Sequence, residues 1–315
     1  MSQAYFTLLS EQGVLAVKGS DAKKFLQGQI TCNLDYVHDN RSSLGARCNP
    51  KGRMISNFRV LQVAEGYLLA MDHSLVDLQI EELKKYALFS KSSLSNVSAE
   101  WARFGLVDAE ATLQALGLEL PYETNSVVHL NHLTAVRVSP SLIELWCPAD
   151  EASCLTKRLI SHGATESDTN IWHLGLISAG IAYITEATSD SFIPQIFNLP
   201  ALDAVSFKKG CYSGQEIVAR MQYLGKLKRH LFRFALNSED LPAAGTQVFS
   251  VDKNNAIGEV IIAALNPAES VVELLAVALE ESALQGSVRL GAIDGPELLL
   301  LPLPYANNPE EEIKR

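Results

Sequence analysis

Residues 206–230 read SFKKGCYSGQEIVARMQYLGKLKRH. Val205–Phe207 offers a strand end. Gly210 and Gly214 bracket a tight turn that carries Cys211, Tyr212 and Ser213. Ser213 followed three residues later by Glu216 is a capping-box pattern, which predicts a helix from Gly214 to Gln222 with Gly225 ending it. Cys211 then sits just before a helix N-terminus, with Lys208 and Lys209 immediately upstream. The positive helix end and the two ammonium groups favour a thiolate, and the same lysines and exposed amides make an anion site. A lone cysteine is more often a small buried hydrophobe, and strand-turn-helix corners with two glycines are common. The charge pattern raises the functional reading. Residues 208–233 hold Lys208, Lys209, Arg220, Lys226, Lys228, Arg229 and Arg233 against the single acid Glu216, in a chain whose net charge is −10. A compact basic strip on an acidic protein marks a surface with a partner.

Working outward, 315 residues allow two domains or three small ones. The chain is 47% hydrophobic and 20% charged, which is globular rather than disordered. With 26 basic and 36 acidic residues, a general nucleic-acid coat or membrane-surface protein is disfavoured. Cys32, Cys48, Cys147, Cys154 and Cys211 are odd in number and show no Cys-x-x-Cys spacing, so neither a disulfide framework nor a zinc ribbon is supported. The first residues lack a basic and then apolar leader, and the apolar runs are too short to span a membrane. A reducing cytoplasm is the expected compartment.

The first half reads as mixed α and β. VLAVKG (14–19) is a strand, and Ser20-Asp21 caps a helix over Ala22–Gln29. SLGARC (43–48), the turn Asn49-Pro50-Lys51-Gly52 and MISNFRVLQV (54–63) form a hairpin. YLLAM (67–71) follows. Ser74 caps a helix through Tyr86, with Leu75, Leu78, Leu83 and Tyr86 available to one face. Asp108 caps a helix that stops at Gly117, and HLTAVRV (132–138) and LIELWC (142–147) are strands. Asp150–Ser161 is helical, and Asp168-Thr169 opens a short buried helix in IWHLGLISAG. The span 185–203 is irregular and long enough to suggest function. From Leu227 onward, strands alternate with Gly, Pro, Asn and Asp punctuation, which suggests a small appended β-barrel or sandwich. The polar, acidic residues after Tyr305 read as a solvated tail. His129 and His132 have ligand-like spacing but read as solvent-facing side chains of a strand and turn; Cys147 and Cys154 read as packed.

The run KKGCYSGQEIVAR resembles the signature of the YgfZ family, relatives of the folate-dependent aminomethyltransferase of the glycine cleavage system. GSDAKKFLQGQITCNL (19–34), ARCNPKGRMISN (46–57), LKKYALFSK (83–91), IWHLGLISAG (171–180), FIPQIFNL (192–199) and LPLPY (301–305) recur in that family in recognisable form. The resemblance implies an α+β, aminomethyltransferase-like, multi-domain body around a central folate cavity. It implies an N-terminal part over 1–110 into which 165–225 packs, a central part over 111–164, a C-terminal β-barrel over 226–305 and a flexible tail over 306–315. It implies a tetrahydrofolate-binding accessory protein that supports iron–sulfur client enzymes and thereby tRNA modification. Cys211 matches the family's motif cysteine as the functional thiol. Trp172 matches a tryptophan associated with folate binding, and Lys208, Lys209, Gly210, Tyr212, Gly214, Gln215, Glu216 and Arg220 complete the implied ligand-facing motif. No metal ligands are implied. Gly13 stands where some relatives have a second tryptophan, and Ser178 stands where the family usually has an acid.

Two rivals remain. A true aminomethyltransferase benefits from a carboxylate near the reacting folate nitrogens, and the transferases carry paired acids in the hairpin where this chain has Gly52-Arg53-Met54-Ile55-Ser56-Asn57. A direct tRNA-binding module would use the basic strip, but only Tyr212, Tyr223 and Phe232 stand near it to stack on bases.

Overall fold

The computed structural model describes residues 3–253 and 255–313. The chain opens with β1 (Tyr5–Leu8), β2 (Gln12–Lys18), α1 (Ala22–Gln27), β3 (Ser43–Cys48), β4 (Met54–Val63), β5 (Gly66–Asp72), α2 (His73–Ala87) and β6 (Ser93–Asn96). Strands β3-β4-β5-β2-β6 form a five-stranded antiparallel sheet. Alternation along β2 sends Leu15 and Val17 into the large core with Leu75, Val76 and Ile80 of α2, while Val14 and Ala16 join a second cluster. A strand buried on both faces places this sheet between two layers. α2 is capped by Asp72, whose carboxylate accepts from the Ser74 amide, so the cap lies two residues earlier than the sequence suggested. Leu75 and Leu83 are buried, but Leu78 and Tyr86 are about half exposed. Asp21 is the N-cap of α1 without capping it, because its carboxylate accepts from the Lys91 amide instead.

The middle of the chain gives β7 (Trp101–Val107), α3 (Glu110–Ala115), β8 (Val127–Leu130), β9 (Leu133–Arg137), β10 (Leu142–Pro148), α4 (Ala152–Ser161) and β11 (Thr165–Glu166). With β1 they build a six-stranded sheet in the order β11-β1-β7-β10-β9-β8. Its outer face buries Phe6, Phe104, Leu106 and Leu145 against Leu113, Leu155 and Leu159 of α3 and α4. Its inner face meets the first sheet, where Val14, Ala16 and Leu61 pack on Val136 and Trp146. Asp108 does not cap α3; it takes φ 52° and the N-cap is Ala109. His129 bonds Thr134 Oγ1 and the Asp39 carbonyl at the surface. Cys147 is buried as expected, but Cys154 is exposed.

Next comes α5 (Thr169–Ala179), capped by Asp168 and closed by Gly180 at φ 66°. It is followed by irregular chain with one short 3₁₀ turn and then α6 (Gln215–Leu224). Val205–Phe207 is not a strand; the Ser206 amide donates to the Thr31 carbonyl as an isolated link.

The C-terminal part comprises β12 (Arg229–Leu236), β13 (Gln247–Ser250), β14 (Gly258–Asn266), β15 (Val271–Leu279), α7 (Glu280–Leu284), β16 (Val288–Leu290), β17 (Leu299–Leu301) and α8 (Pro309–Glu312). The expected barrel is a curled six-stranded sheet in the order β16-β13-β14-β15-β12-β17. Among the described residues its ends approach only through the Arg289–Glu297 bridge and the hydrogen bonds beside it. The described part of the segment expected as a flexible tail, 306–313, instead folds back with Tyr305 before it. Tyr305 donates to the Gly180 carbonyl at 2.7 Å, Asn307 to Asn198 Oδ1 at 3.0 Å, and Glu312 is 6% exposed.

Candidate functional site at the Cys211 turn

Paired glycines press the hairpin turn between β3 and β4 onto the start of α6. Gly214, the N-cap of α6, sits at φ 81°, and a Cβ there would fall 2.3 Å from the Asn49 carbonyl oxygen. Gly52, at φ 74°, faces Ile217, where a Cβ would lie 2.9 Å from that residue's own Cβ. Both positions need the left-handed conformation and the missing side chain. Because Gly214 rather than Ser213 is the N-cap, the capping box does not form, and α6 begins at Gln215 without a side-chain cap. Asn49 Oδ1 accepts from the amides of Lys51 and Arg53 at 2.8 and 3.0 Å, and its amide donates to the Asp190 carboxylate. Arg53 donates to the carbonyls of Asp190 and Ser191. The hairpin turn, the 189–192 loop and the cysteine motif therefore meet in one place.

Cys211 is exposed on this turn, and so is Lys208. Lys209 is not: it is 8% exposed and its Nζ donates to the carbonyls of Ile30 and Cys32 at 2.7 and 2.8 Å, 5.3 Å from the Tyr212 ring centroid. Burial lowers the Lys209 ammonium to about 8. Tyr212 is 6% exposed, its hydroxyl has no partner among the described residues, and burial pushes its phenol up. Gly210 is exposed, with open space where a Cβ would be, so packing does not require a glycine there. Glu216 and Arg220 are both exposed and make no ion pair with each other. Arg233 is held by Glu273 at 2.5 Å. The continuous basic strip of the sequence is thus divided: one lysine faces inward, one arginine is neutralised, and Lys226 and Lys228 line a separate cleft. Burial pushes the Cys48 thiol up to about 12 and that of Cys147 up to about 11, and it raises Cys32. The described residues contain no group of three or more His, Cys, Asp or Glu side chains placed to hold a metal.

A second polar feature, not singled out in the sequence, lies between the first two sheets. Glu144, fully buried, accepts from Arg103 at 2.7 Å and from the Trp146 indole at 3.1 Å, and Arg59 Nε lies 3.7 Å from it. Arg59, also fully buried, donates to Ser42 Oγ and Asn125 Oδ1. Two guanidiniums against one carboxylate leave a buried positive excess. Among the described residues, Arg59 Nε and Nη2, Arg103 Nε and Glu144 Oε1 have no hydrogen-bond partner. Trp172 borders the same layer. Its ring occupies the space a side chain at Gly105 would take, 2.5 Å from that Cβ position, and Gly105 is the cross-strand partner of Glu144. Trp172 is 1% exposed and its indole Nε1 also has no partner among the described residues. The signal for this layer was present as single charges inside apolar strands, Arg59 in MISNFRVLQV and Glu144 in LIELWC.

From this layer a depression opens to solvent. Ser42 and Asn125, the partners of Arg59, line a cleft of about 630 Å³ with Tyr36, Arg41 and Ser206. A cleft of about 340 Å³ shares Arg41, Asn125 and Asp203 with it and reaches Ile181 and Tyr305. Ser56 and Asn57, at the end of the 52–57 hairpin segment, are buried; Asn57 donates to the Ala182 carbonyl and accepts from the Ile184 amide. A Cβ on Gly13 would lie 2.7 Å from Val76 Cγ2 and 2.8 Å from Ser98 Oγ, so this fold has no room there for a tryptophan.

No protein-family model matches the chain. Among curated proteins it is 32% identical over 303 residues to the tRNA-modifying protein YgfZ of Yersinia pseudotuberculosis, covering 95% of this chain and 91% of that protein. It is 33% identical over 243 residues to the protein of the same name from Colwellia psychrerythraea, covering 76% and 73%. Among solved structures, the glycine cleavage system aminomethyltransferase T of Bartonella henselae aligns over 95% of this chain and 85% of its own with a TM-score of 0.73 at 15% identity, which establishes a shared fold. With identity sustained along nearly the whole chain and the motif turn built as described, the chain belongs to the YgfZ family and has an aminomethyltransferase-like fold.

Proposed function

We propose that this protein binds a reduced folate and acts as an accessory factor for iron–sulfur enzymes of tRNA modification. The observation that carries the folate reading is the set of unpartnered buried atoms on Arg59, Arg103, Glu144 and Trp172 next to the cleft floored by Ser42 and Asn125. Buried polar groups are almost always satisfied, so a layer with several open valences beside a cleft suits a flat, polar head group that brings both donors and acceptors. Glu144 Oε1 accepts, and Arg59 and Trp172 donate. Bound folate would supply a pair of nitrogens able to carry a one-carbon unit; the protein's part is to orient the head group and exclude water from it. The hairpin segment Gly52-Arg53-Met54-Ile55-Ser56-Asn57 offers no carboxylate for the proton transfers of aminomethyl transfer, which favours a binding role over turnover. Cys211, Lys208, Gln215, Glu216 and Arg220 would then face the client enzyme rather than the folate, on a turn that projects the thiol to solvent. The divided basic strip offers little continuous positive surface to a tRNA backbone.

The test is a titration of the purified protein with reduced folates, read by tryptophan fluorescence and calorimetry, with iron and sulfide assayed in the same sample. Binding is expected, with Arg41→Ala weakening it by about 1–2 kcal/mol while leaving the fold intact. Absence of binding at millimolar folate would remove the folate reading. Bound iron and sulfide would make the protein a cluster carrier instead.

A further inference from the structure

A third cleft, of about 550 Å³, opens between the end of α6, the start of β12 and the C-terminal segment. Its rim carries Lys226 and Lys228, both exposed and without a carboxylate partner among the described residues. Its floor includes Gln195, 4% exposed, whose Nε2 donates to the Val218 carbonyl, and His230; Gln195 Oε1 and His230 Nδ1 have no partner among the described residues. One side chain of the C-terminal segment already enters this cleft. Glu312 accepts from Gln222 Nε2 at 2.7 Å and from the Asn308 amide at 3.1 Å, and Asn307 ties the approach to Asn198. Glu312 closes the run Glu310-Glu311-Glu312.

We propose that this cleft is a binding site for an oligoglutamate chain, and that the protein's own Glu312 occupies it as a tethered competitor. The chemistry is complementary on two counts, against the one further acid of the lining, Glu280. Ammonium groups at the rim suit successive carboxylates, and the open Gln195 acceptor in the floor suits an amide N–H of the linking chain. The Glu312 carboxylate shows that this lining, which also carries the two lysines, accommodates a glutamate side chain. The segment reaching it follows Tyr305, whose hydroxyl is anchored on Gly180, so residues 306–313 can leave without disturbing the residues that fix the body. The glutamates have two possible sources, the γ-linked tail of a polyglutamylated cofactor and an α-linked acidic stretch of a protein. The inference stands apart from the folate reading, because a free peptide carries no pterin.

The experiment uses fluorescein-labelled penta-α-glutamate as probe, with free γ-linked pentaglutamate as competitor, at 50 and 300 mM salt. A tethered occupant lowers apparent affinity by the fraction of molecules in which it is seated. Ending the chain after Tyr305 should therefore tighten binding at least about tenfold, and Glu312→Gln, which keeps the segment but removes the charge, should give part of that gain. Lys226→Glu with Lys228→Glu in the shortened chain should abolish binding, and higher salt should weaken it in the unmutated site. Stronger competition by the γ-linked form assigns the natural occupant to a cofactor tail, and stronger binding of the α-linked form to a protein. The proposal is overturned if no variant binds either form, if both the shortened chain and Glu312→Gln bind no tighter than the full protein, or if charge reversal leaves affinity unchanged.

Discussion

Lys209 holds its ammonium between two main-chain carbonyls with no carboxylate paired to it among the described residues, so its protonation is linked to folding. Burial brings its pKa to about 8 in the folded chain, below the ordinary lysine value of about 10.4. Between those values the unfolded chain binds the proton and the folded chain has released it, so stability rises with pH across that window. Relative to Lys209→Met, the wild-type protein should gain about 1 kcal/mol between pH 7 and 9, measured by denaturant unfolding. A pH-independent difference would mean that the two carbonyls keep the lysine charged. Trp172 is a second residue whose folded setting changes the experiment it calls for. Its ring fills the space above Gly105, so Trp172→Ala should cost about 3–5 kcal/mol of stability through the cavity it leaves. Loss of folate binding in that variant would report on packing. Trp172→Phe, which keeps most of the volume and removes the indole N–H, is the informative change.

Among the elements, the union of the Asn49–Arg53 turn with α6 makes Cys211 a defined feature rather than a loop residue. Gly214→Ala would place a side chain against the Asn49 carbonyl in a left-handed backbone. It should cost at least about 1–2 kcal/mol from the backbone conformation alone and loosen the turn, read as lower thermal stability. With Cys154→Ser, a single thiol should alkylate rapidly near neutral pH, at Cys211, because the other three are buried. Rapid labelling of Cys48 or Cys32 would mean that the hairpin and α6 separate readily. The local signals that the sequence carries were sound for α5, whose cap Asp168 and terminal Gly180 act within one turn of their helix, and for the Asn49-Pro50-Lys51-Gly52 hairpin turn. They misplaced features whose partner is remote. Ser213 matched the capping pattern, but the Asn49 carbonyl decided which residue ends the turn. Lys209 matched a surface charge, but the carbonyls of Ile30 and Cys32 drew it inward. Glu312 looked solvated because its partner, Gln222, stands 90 residues earlier.

At the scale of the whole molecule, the first two sheets meet across a layer that is apolar at one end, around Val14, Leu61 and Val136, and ionic at the other. The apolar end follows from the alternation of β2 and β9. The ionic end was not legible, because a single arginine in an apolar strand reads as an edge residue until its opposing carboxylate is placed on another strand. Burial alone would raise the Glu144 carboxyl, but Arg103, Arg59 and the hydrogen bonds from Arg103 and Trp146 outweigh it and hold it below the usual carboxylate range. Its folded value therefore lies under its unfolded one, so the stability it contributes is present above about pH 4.3 and is lost as pH falls through the folded value. A buried pair is modest as a source of net stability, but removing one partner strands the other. Glu144→Gln leaves Arg59 and Arg103 without a counter-charge between the sheets and should cost about 3–5 kcal/mol. The same change should flatten the acid limb of the stability profile, because the group that titrates there is gone. If reduced folate binds over this layer, it should restore part of the lost stability in Glu144→Met less than in Glu144→Gln, since only the amide still offers an acceptor to the head group. Equal rescue of the two variants, followed by thermal shift at saturating folate, would place the ligand elsewhere in the fold.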